Sequence, residues 1–388
     1  MNFTIFDLET TGLQTRFDYA LTFSAKTVDS NFNLIDQIDL QTGLRPGLIP
    51  SVFAIATNKL KISDLRKSNL SFFEMTKQIF QYLEKHCPSY IIGHNSLNFD
   101  EEILRSQFYQ CLLPVYPTQT NGNQRGDTLV MSRAAAAFSP GSIQVGNNKN
   151  DNPDFTLEGL ASINNFEHLE AHTAASDVSA CLEILRKIKI SDPNFFEACL
   201  KTTSKKGIQD FMLNNLAFCY SQGVNKKLIM TNCVKLDSSY VTFDLNEKPD
   251  DFLDLSAKDL TKIIRKKDSP FHFIKNNKQP ILVDLSYKKY TICDLSDEEI
   301  LLRARKINSH REFQKAVKLA AELTEKEWPV GATVEQQIFS GGFPKPFDQN
   351  LMKKFHSSDW NERVELASQF EDTRFRELGI RLIYEQNP

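Results

Sequence analysis

Asp7 and Glu9 stand two residues apart in a stretch whose alternation of apolar and polar residues predicts a strand over residues 4–8. At the strand period both carboxylates leave one face, while Phe6 and Leu8 take the other. Two carboxylates a few Å apart repel, and in a poorly hydrated site they stay ionised only beside a cation. Two more acids sit on apolar helix stripes. Asp100 shares its side of a helix predicted over 99–111 with Leu104 and Phe108. Asp177 is followed at helical spacing by Ala180, Cys181, Ile184, Leu185 and Ile188 on a helix predicted over 173–190. An ionised carboxylate on an apolar face is costly without a partner, so these two acids call for a shared cation. His172 precedes Asp177 by five residues, about 140° away if both were helical. It is therefore expected on the loop entering the helix, where an imidazole can take a proton near neutral pH. Glu101 and Arg105 read as an ordinary exposed pair one turn apart.

The elements that must position these groups alternate over the first 190 residues. Strands are predicted at 4–8, 19–28, 32–40 and 89–92, and helices at 71–86, 99–111, 127–138, 157–164 and 173–190. A long polar loop spans 139–154. The sum is an α/β domain with a mixed sheet. Ser191-Asp192-Pro193-Asn194 reads as its boundary. Beyond it, strands at 227–231, 239–245 and 281–284 with a helix at 256–266 predict a small β-rich domain over 195–290. Residues 291–388 read as amphipathic helices.

Composition narrows the class. With 41% hydrophobic and 24% charged residues in 388, the chain is neither disordered nor collagenous. No run is long and apolar enough for a membrane span, and Met1–Asp7 shows no secretory signal. The seven cysteines never occur as C-x-x-C, which points away from a disulfide framework or a zinc site and toward a reducing cytoplasm. The net charge of −3 is unevenly divided. Residues 1–190 carry 16 basic against 20 acidic side chains, and residues 200–290 carry 16 against 10. An acidic first part beside a basic middle suits a cation site next to a polyanion-binding surface. Lys226-Lys227 and Arg265-Lys266-Lys267 are candidate phosphate contacts, and Phe99 and Tyr109 are candidate stacking platforms for bases.

Three separated segments, Phe6-Asp7-Leu8-Glu9-Thr10-Thr11-Gly12, Gly93-His94-Asn95 with Phe99-Asp100, and His172 with Asp177, resemble the DEDD exonucleases, in the subtype with histidine before the last aspartate. Residues 95–109, 155–160 and 167–177 look like bacterial exonuclease I, and residues 334–343 and 369–384 are similar to that family's later segments. The resemblance implies an RNase H-like exonuclease domain over 1–190, an SH3-like nucleic-acid-contacting domain over 195–290, and a helical part over 291–388 that is shortened relative to the family. It departs from the family at Thr156 and Asn98, where a basic residue is common.

The activity so implied is metal-dependent 3′–5′ hydrolysis of single-stranded DNA to 5′-mononucleotides, in DNA repair and recombination. Asp7, Glu9, Asp100 and Asp177 would hold two Mg²⁺ ions, with Mn²⁺ as a substitute, and His172 would serve as general base. Oxygen ligands favour these hard cations over zinc. Glu9, Thr10, Asn95, Phe99 and Thr156 are the expected substrate contacts. A single-stranded-DNA-binding protein is an expected partner, and a monomer the expected state. The rival readings are an exoribonuclease of the same superfamily, a proofreading subunit of a polymerase, and a non-catalytic DNA-binding protein on a degenerate nuclease fold.

Overall fold

The computed structural model describes residues 1–166, 173–224, 226–326 and 329–386. They form two compact units. The first comprises residues 1–124, 173–182 and 329–386, and the second residues 125–166, 183–224 and 226–326. Each unit is thus assembled from segments distant in the chain.

In the first unit, strands β1 (Asn2–Thr10), β2 (Ala20–Val28), β3 (Leu34–Gln41) and β4 (Ser89–Gly93) lie in the order β3-β2-β1-β4. β1 runs antiparallel to β2 and parallel to β4, so the sheet is mixed as expected. The alternation on β1 holds: Phe6 and Leu8 are buried, while Asp7 and Glu9 share the other, partly buried face. The register sets Ser24 opposite Asp7 and Thr22 opposite Glu9, extending a polar stripe across the sheet. Behind the apolar face lies the helix Phe72–Lys85, begun by Ser71, whose hydroxyl accepts from the Glu74 amide. Met75, Ile79, Phe80 and Leu83 from this helix join Phe6, Leu8, Phe23, Leu104 and Phe108 in one core cluster.

The Asp100 helix (Asp100–Gln110) departs from expectation. Leu104 and Phe108 are buried as predicted, but so is nearly every other residue of the helix. Glu101 and Arg105 are not a surface pair. They are 1% and 8% exposed, with the Arg105 guanidinium donating to Glu101 at 2.9 Å and to Glu102 at 2.6 Å. The reason is the chain's last segment, which covers the side that the local pattern left open. Tyr109 packs edge-on against Phe375 at 6.2 Å, in a cluster with Leu112, Phe355, Phe370, Leu378 and Leu382. Arg45 secures this segment through two bonds to Glu385, a bond to Gln110 and a stack on Phe72 at 3.9 Å.

The second unit holds an antiparallel sheet in the order Phe271–Lys275, Ser239–Asp244, Lys227–Lys235, Phe218–Ser221, Leu282–Val283. The helix expected over 256–266 shrinks to Ala257–Thr261. Beyond it the chain tightens into three-residue turns, and Arg265 reaches to Thr324 and the Ala321 carbonyl. Asp192 caps, and Pro193 opens, the helix Pro193–Lys201. Two further helices, Asp297–Ser309 and Arg311–Leu323, complete the unit. All seven cysteines are free thiols, and no described helix is long and apolar enough to cross a membrane.

Tyr109, 4% exposed in the core, is therefore a packing residue and not a platform for bases. Tyr109→Ala should cost about 3–5 kcal/mol, measured by urea unfolding. A variant of unchanged stability would contradict this placement.

Candidate active site

The β1 strand, the Asp100 helix and the helix Ala174–Ser191 converge on one cluster of acids. Asp7, Glu9 and Asp177 each present a carboxylate oxygen within 4.8 Å of the other two. Asp100, 5% exposed at the start of its helix, lies close enough to be the strongest charged neighbour of Asp7. The four acids predicted from spacing are thus brought together. His172 lies outside the described residues, so its placement is not part of this geometry.

The chain closes around these acids with little tolerance. A side chain at Gly93 would meet the Phe6 carbonyl at 3.0 Å and the Ser96 Cβ at 2.6 Å, so only glycine lets β4 lie this near the residue preceding Asp7. A side chain at Gly12 would strike the Asp18 carboxylate at 2.6 Å. That carboxylate instead accepts from the Thr11 hydroxyl and the Gln14 amide, both at 2.7 Å, and folds the turn that follows Glu9. Asp18 and Ser24 carry structural weight that the sequence reading missed. For Ser24 the signal was present, because Thr22, Ser24 and Lys26 alternate with Leu21, Phe23 and Ala25 on β2.

Confinement reshapes the acidity of the cluster. Burial, then Asp100, Asp177 and Glu9, push the Asp7 carboxyl well above the ordinary carboxylate range. Burial, then Asp177 and Asp100, raise Glu9 to about 8. Near neutral pH Glu9 holds a proton unless something positive takes the proton's place. A set of hard carboxylate oxygens, crowded and proton-loaded, fits a divalent cation of the magnesium type. Asp7, Glu9 and Asp177 are the residues that would hold it.

The expected substrate contacts fall into different environments. Thr10 is 6% exposed, and its hydroxyl donates to the Gly12 carbonyl at 2.8 Å. Asn95 is exposed, with a backbone φ of 60° at the turn leaving β4. Phe99 is half-buried and packs on the core cluster behind the sheet. Thr156, in the second unit, caps the helix Leu157–Asn164 by accepting from the Gly159 amide at 3.1 Å. Among the basic candidates, Lys226, Lys266 and Lys267 are exposed. Arg265 is exposed as well, and its guanidinium donates to Thr324 and the Ala321 carbonyl and lies 4.1 Å from the Phe273 ring.

Residues 4–185 match the sequence family described as Exonuclease (RNase_T), and all four clustered acids fall inside that span. Residues 4–185 are an exonuclease domain. Over 98% of its length this chain is 26% identical to exodeoxyribonuclease I of Buchnera aphidicola subsp. Schizaphis graminum, covering 82% of that protein. In fold the chain resembles E. coli exonuclease I solved with a dT13 oligonucleotide, with a TM-score of 0.83 at 20% identity over 97% of this chain and 85% of the other. It also resembles the ExoI of an ExoI/SSB-Ct complex, with a TM-score of 0.82 at 20% identity over 100% of this chain and 86% of that one. These likenesses confirm the RNase H-like exonuclease fold for the mixed-sheet part.

Because the raised carboxyls bind protons more tightly in the folded state than in the unfolded chain, the sign of the pH effect is fixed. For Glu9 the stabilisation is complete below its ordinary value of 4.5 and is lost as pH rises through about 8. The metal-free exonuclease domain should therefore melt at falling temperature across that window, and Mg²⁺ should add more stability the higher the pH. Asp7→Asn should raise the metal-free melting temperature at alkaline pH and abolish the Mg²⁺ increment. Thermal melts in chelator and in Mg²⁺ check this, and an increment independent of pH would contradict it.

Proposed function

We propose that this protein is a divalent-metal-dependent 3′–5′ exonuclease that degrades single-stranded DNA to 5′-mononucleotides, in DNA repair or recombination. The observation that carries the reading is the convergence of Asp7, Glu9 and Asp177 within 4.8 Å, beside Asp100, inside an exonuclease domain. Asp7, Glu9 and Asp177 would hold a pair of Mg²⁺ ions, or Mn²⁺ in their place, with Asp100 completing the set. When bound there, such ions supply charge neutralisation at the phosphodiester and a nucleophile at neutral pH.

The chain's own groups divide the remaining work. Asp100 brings negative charge to the floor of the site at the head of a helix held on nearly every side, so it cannot relax away. His172, by its spacing from Asp177, is assigned the general base that takes a proton from the attacking water. Glu9, together with the backbone around Thr10, meets the terminal nucleotide. Because the Thr10 hydroxyl is already committed to Gly12, its part in binding falls to the main chain. Asn95 and Phe99, on the segment entering the Asp100 helix, are read as further contacts to the strand, and Thr156 contributes as the cap of its own helix.

The basic 195–290 segment is read as an SH3-like domain that tracks the phosphate backbone, with the helical 291–388 part completing the hold on the strand. We read the chain as a cytoplasmic monomer. A single-stranded-DNA-binding protein is proposed as its recruiting partner, on the likeness to the ExoI of the ExoI/SSB-Ct complex.

The test is digestion of single- and double-stranded DNA labelled at either end. Single strands should lose 3′ label as mononucleotides in Mg²⁺ and survive in chelator. His172→Ala should be slower by roughly 10²–10⁴-fold, and Asp7→Asn slower still. Loss of label from the 5′ end, digestion in chelator, or faster attack on matched RNA would overturn the reading.

A further inference from the structure

The Asp177 helix (Ala174–Ser191) meets the sheet in two different ways. One side carries Asp177, Ala180, Cys181 and Ile184, and the last three are buried. The helix also meets the sheet along a mixed surface in which Ala25, Ala175 and Val178 stand among polar side chains. It borders a cavity of about 440 Å³ lined by Ser24, Lys26, Gln37, Asp39, Thr173, Ser176 and Ser179. Across this gap the Lys26 ammonium on β2 donates to the Ser179 hydroxyl at 2.8 Å, and that hydroxyl donates to the Ala175 carbonyl at 2.9 Å. On the same strand Ser24, which faces Asp7 across the register, donates to Asp39 at 2.6 Å.

Asp177 sits in the helix's first turn, where its amide donates to the Thr173 carbonyl at 3.0 Å. Ser179 lies about 160° round the helix from Asp177. A tie at that flank resists rotation of the helix about its own axis, the motion that would swing the Asp177 carboxylate away from Asp7 and Glu9. Resting on the cation-dependent reading above, we propose that Lys26 is a positioning residue for that reaction: through Ser179 it fixes the roll of the Asp177 helix and so sets the metal affinity of the carboxylate cluster.

Groups that orient metal ligands without touching the metal change affinity by about 10–100-fold when removed. Lys26→Met keeps the aliphatic stem and deletes the donor, while Lys26→Arg keeps a donor of similar reach. Mn²⁺ binding to the DNA-free protein, followed by the electron paramagnetic resonance of the free ion, should weaken by about tenfold or more in Lys26→Met. It should be largely restored in Lys26→Arg. The Mg²⁺ concentration for half-maximal exonuclease activity should rise in parallel, while the KM for DNA at saturating Mg²⁺ stays at the parental value. Ser179→Ala, which cuts the same tie from the helix side and deletes only a hydroxyl, should weaken Mn²⁺ binding in the same direction and decides the matter should Lys26→Met fail to fold. Parental Mn²⁺ affinity in folded Lys26→Met or in Ser179→Ala overturns the positioning role. Absence of Mn²⁺ binding by the parental protein instead overturns the cation-dependent reading beneath it.

Discussion

Mutual repulsion among Asp7, Glu9, Asp100 and Asp177 is the constraint on which the rest of the structure turns. Left to themselves in water these side chains would separate. Here a parallel contact between β1 and β4, a helix enclosed by the C-terminal segment and a second helix tied at its flank hold them together. Burial, and then this repulsion, weaken the acids, raising Glu9 to about 8 and Asp7 well above the carboxylate range. Such a cluster is unfavourable to folding above neutral pH, and it is retained because a divalent cation turns the same arrangement into a ligand set.

The scaffold around the cluster answers that cost. Phe6 and Leu8 anchor β1 from behind, so the strand that bears two acids also contributes to the core. Gly93 permits the close approach of β4, and the Asp18 turn arrests the chain just past Glu9. The Asp100 helix is gripped by Arg45 through Gln110 and by the apolar cluster around Phe375. The C-terminal segment belongs to the same compact unit as the acids. Its contribution to the site is therefore mechanical: it encloses the helix that carries Asp100.

Much of this was legible in the residues because it rests on short-range periodicity. The two-residue spacing of Asp7 and Glu9 against Phe6 and Leu8 identified the strand and its faces. The helical spacing of Leu104 and Phe108, or of Ala180 and Ile184, identified where Asp100 and Asp177 would sit. What escaped depended on distant segments. Glu101 and Arg105 looked exposed because nothing local announces that residues far down the chain will cover them. Tyr109 looked available to bases for the same reason, and nothing near Arg265 announces that it also bonds to Thr324 and Ala321. Phe218–Ser221 and Phe271–Lys275 are strands that went unread, although segments just as short at 89–92 and 281–284 were recognised. The Lys26–Ser179 tie joins residues 153 positions apart and has no signature in either neighbourhood.

Counting the protons displaced by the cation measures whether a bound ion relieves the crowding of the four acids. Calorimetric titration of the DNA-free protein with Mg²⁺ at pH 7, in buffers of differing ionisation enthalpy, yields that number. Crowded carboxyls that hold protons until a cation replaces them predict release of about one to two protons per protein at saturation, falling toward zero as the pH is raised above that of the Glu9 transition. Saturation with no proton release at pH 7, or no uptake of Mg²⁺ at all, would contradict the account.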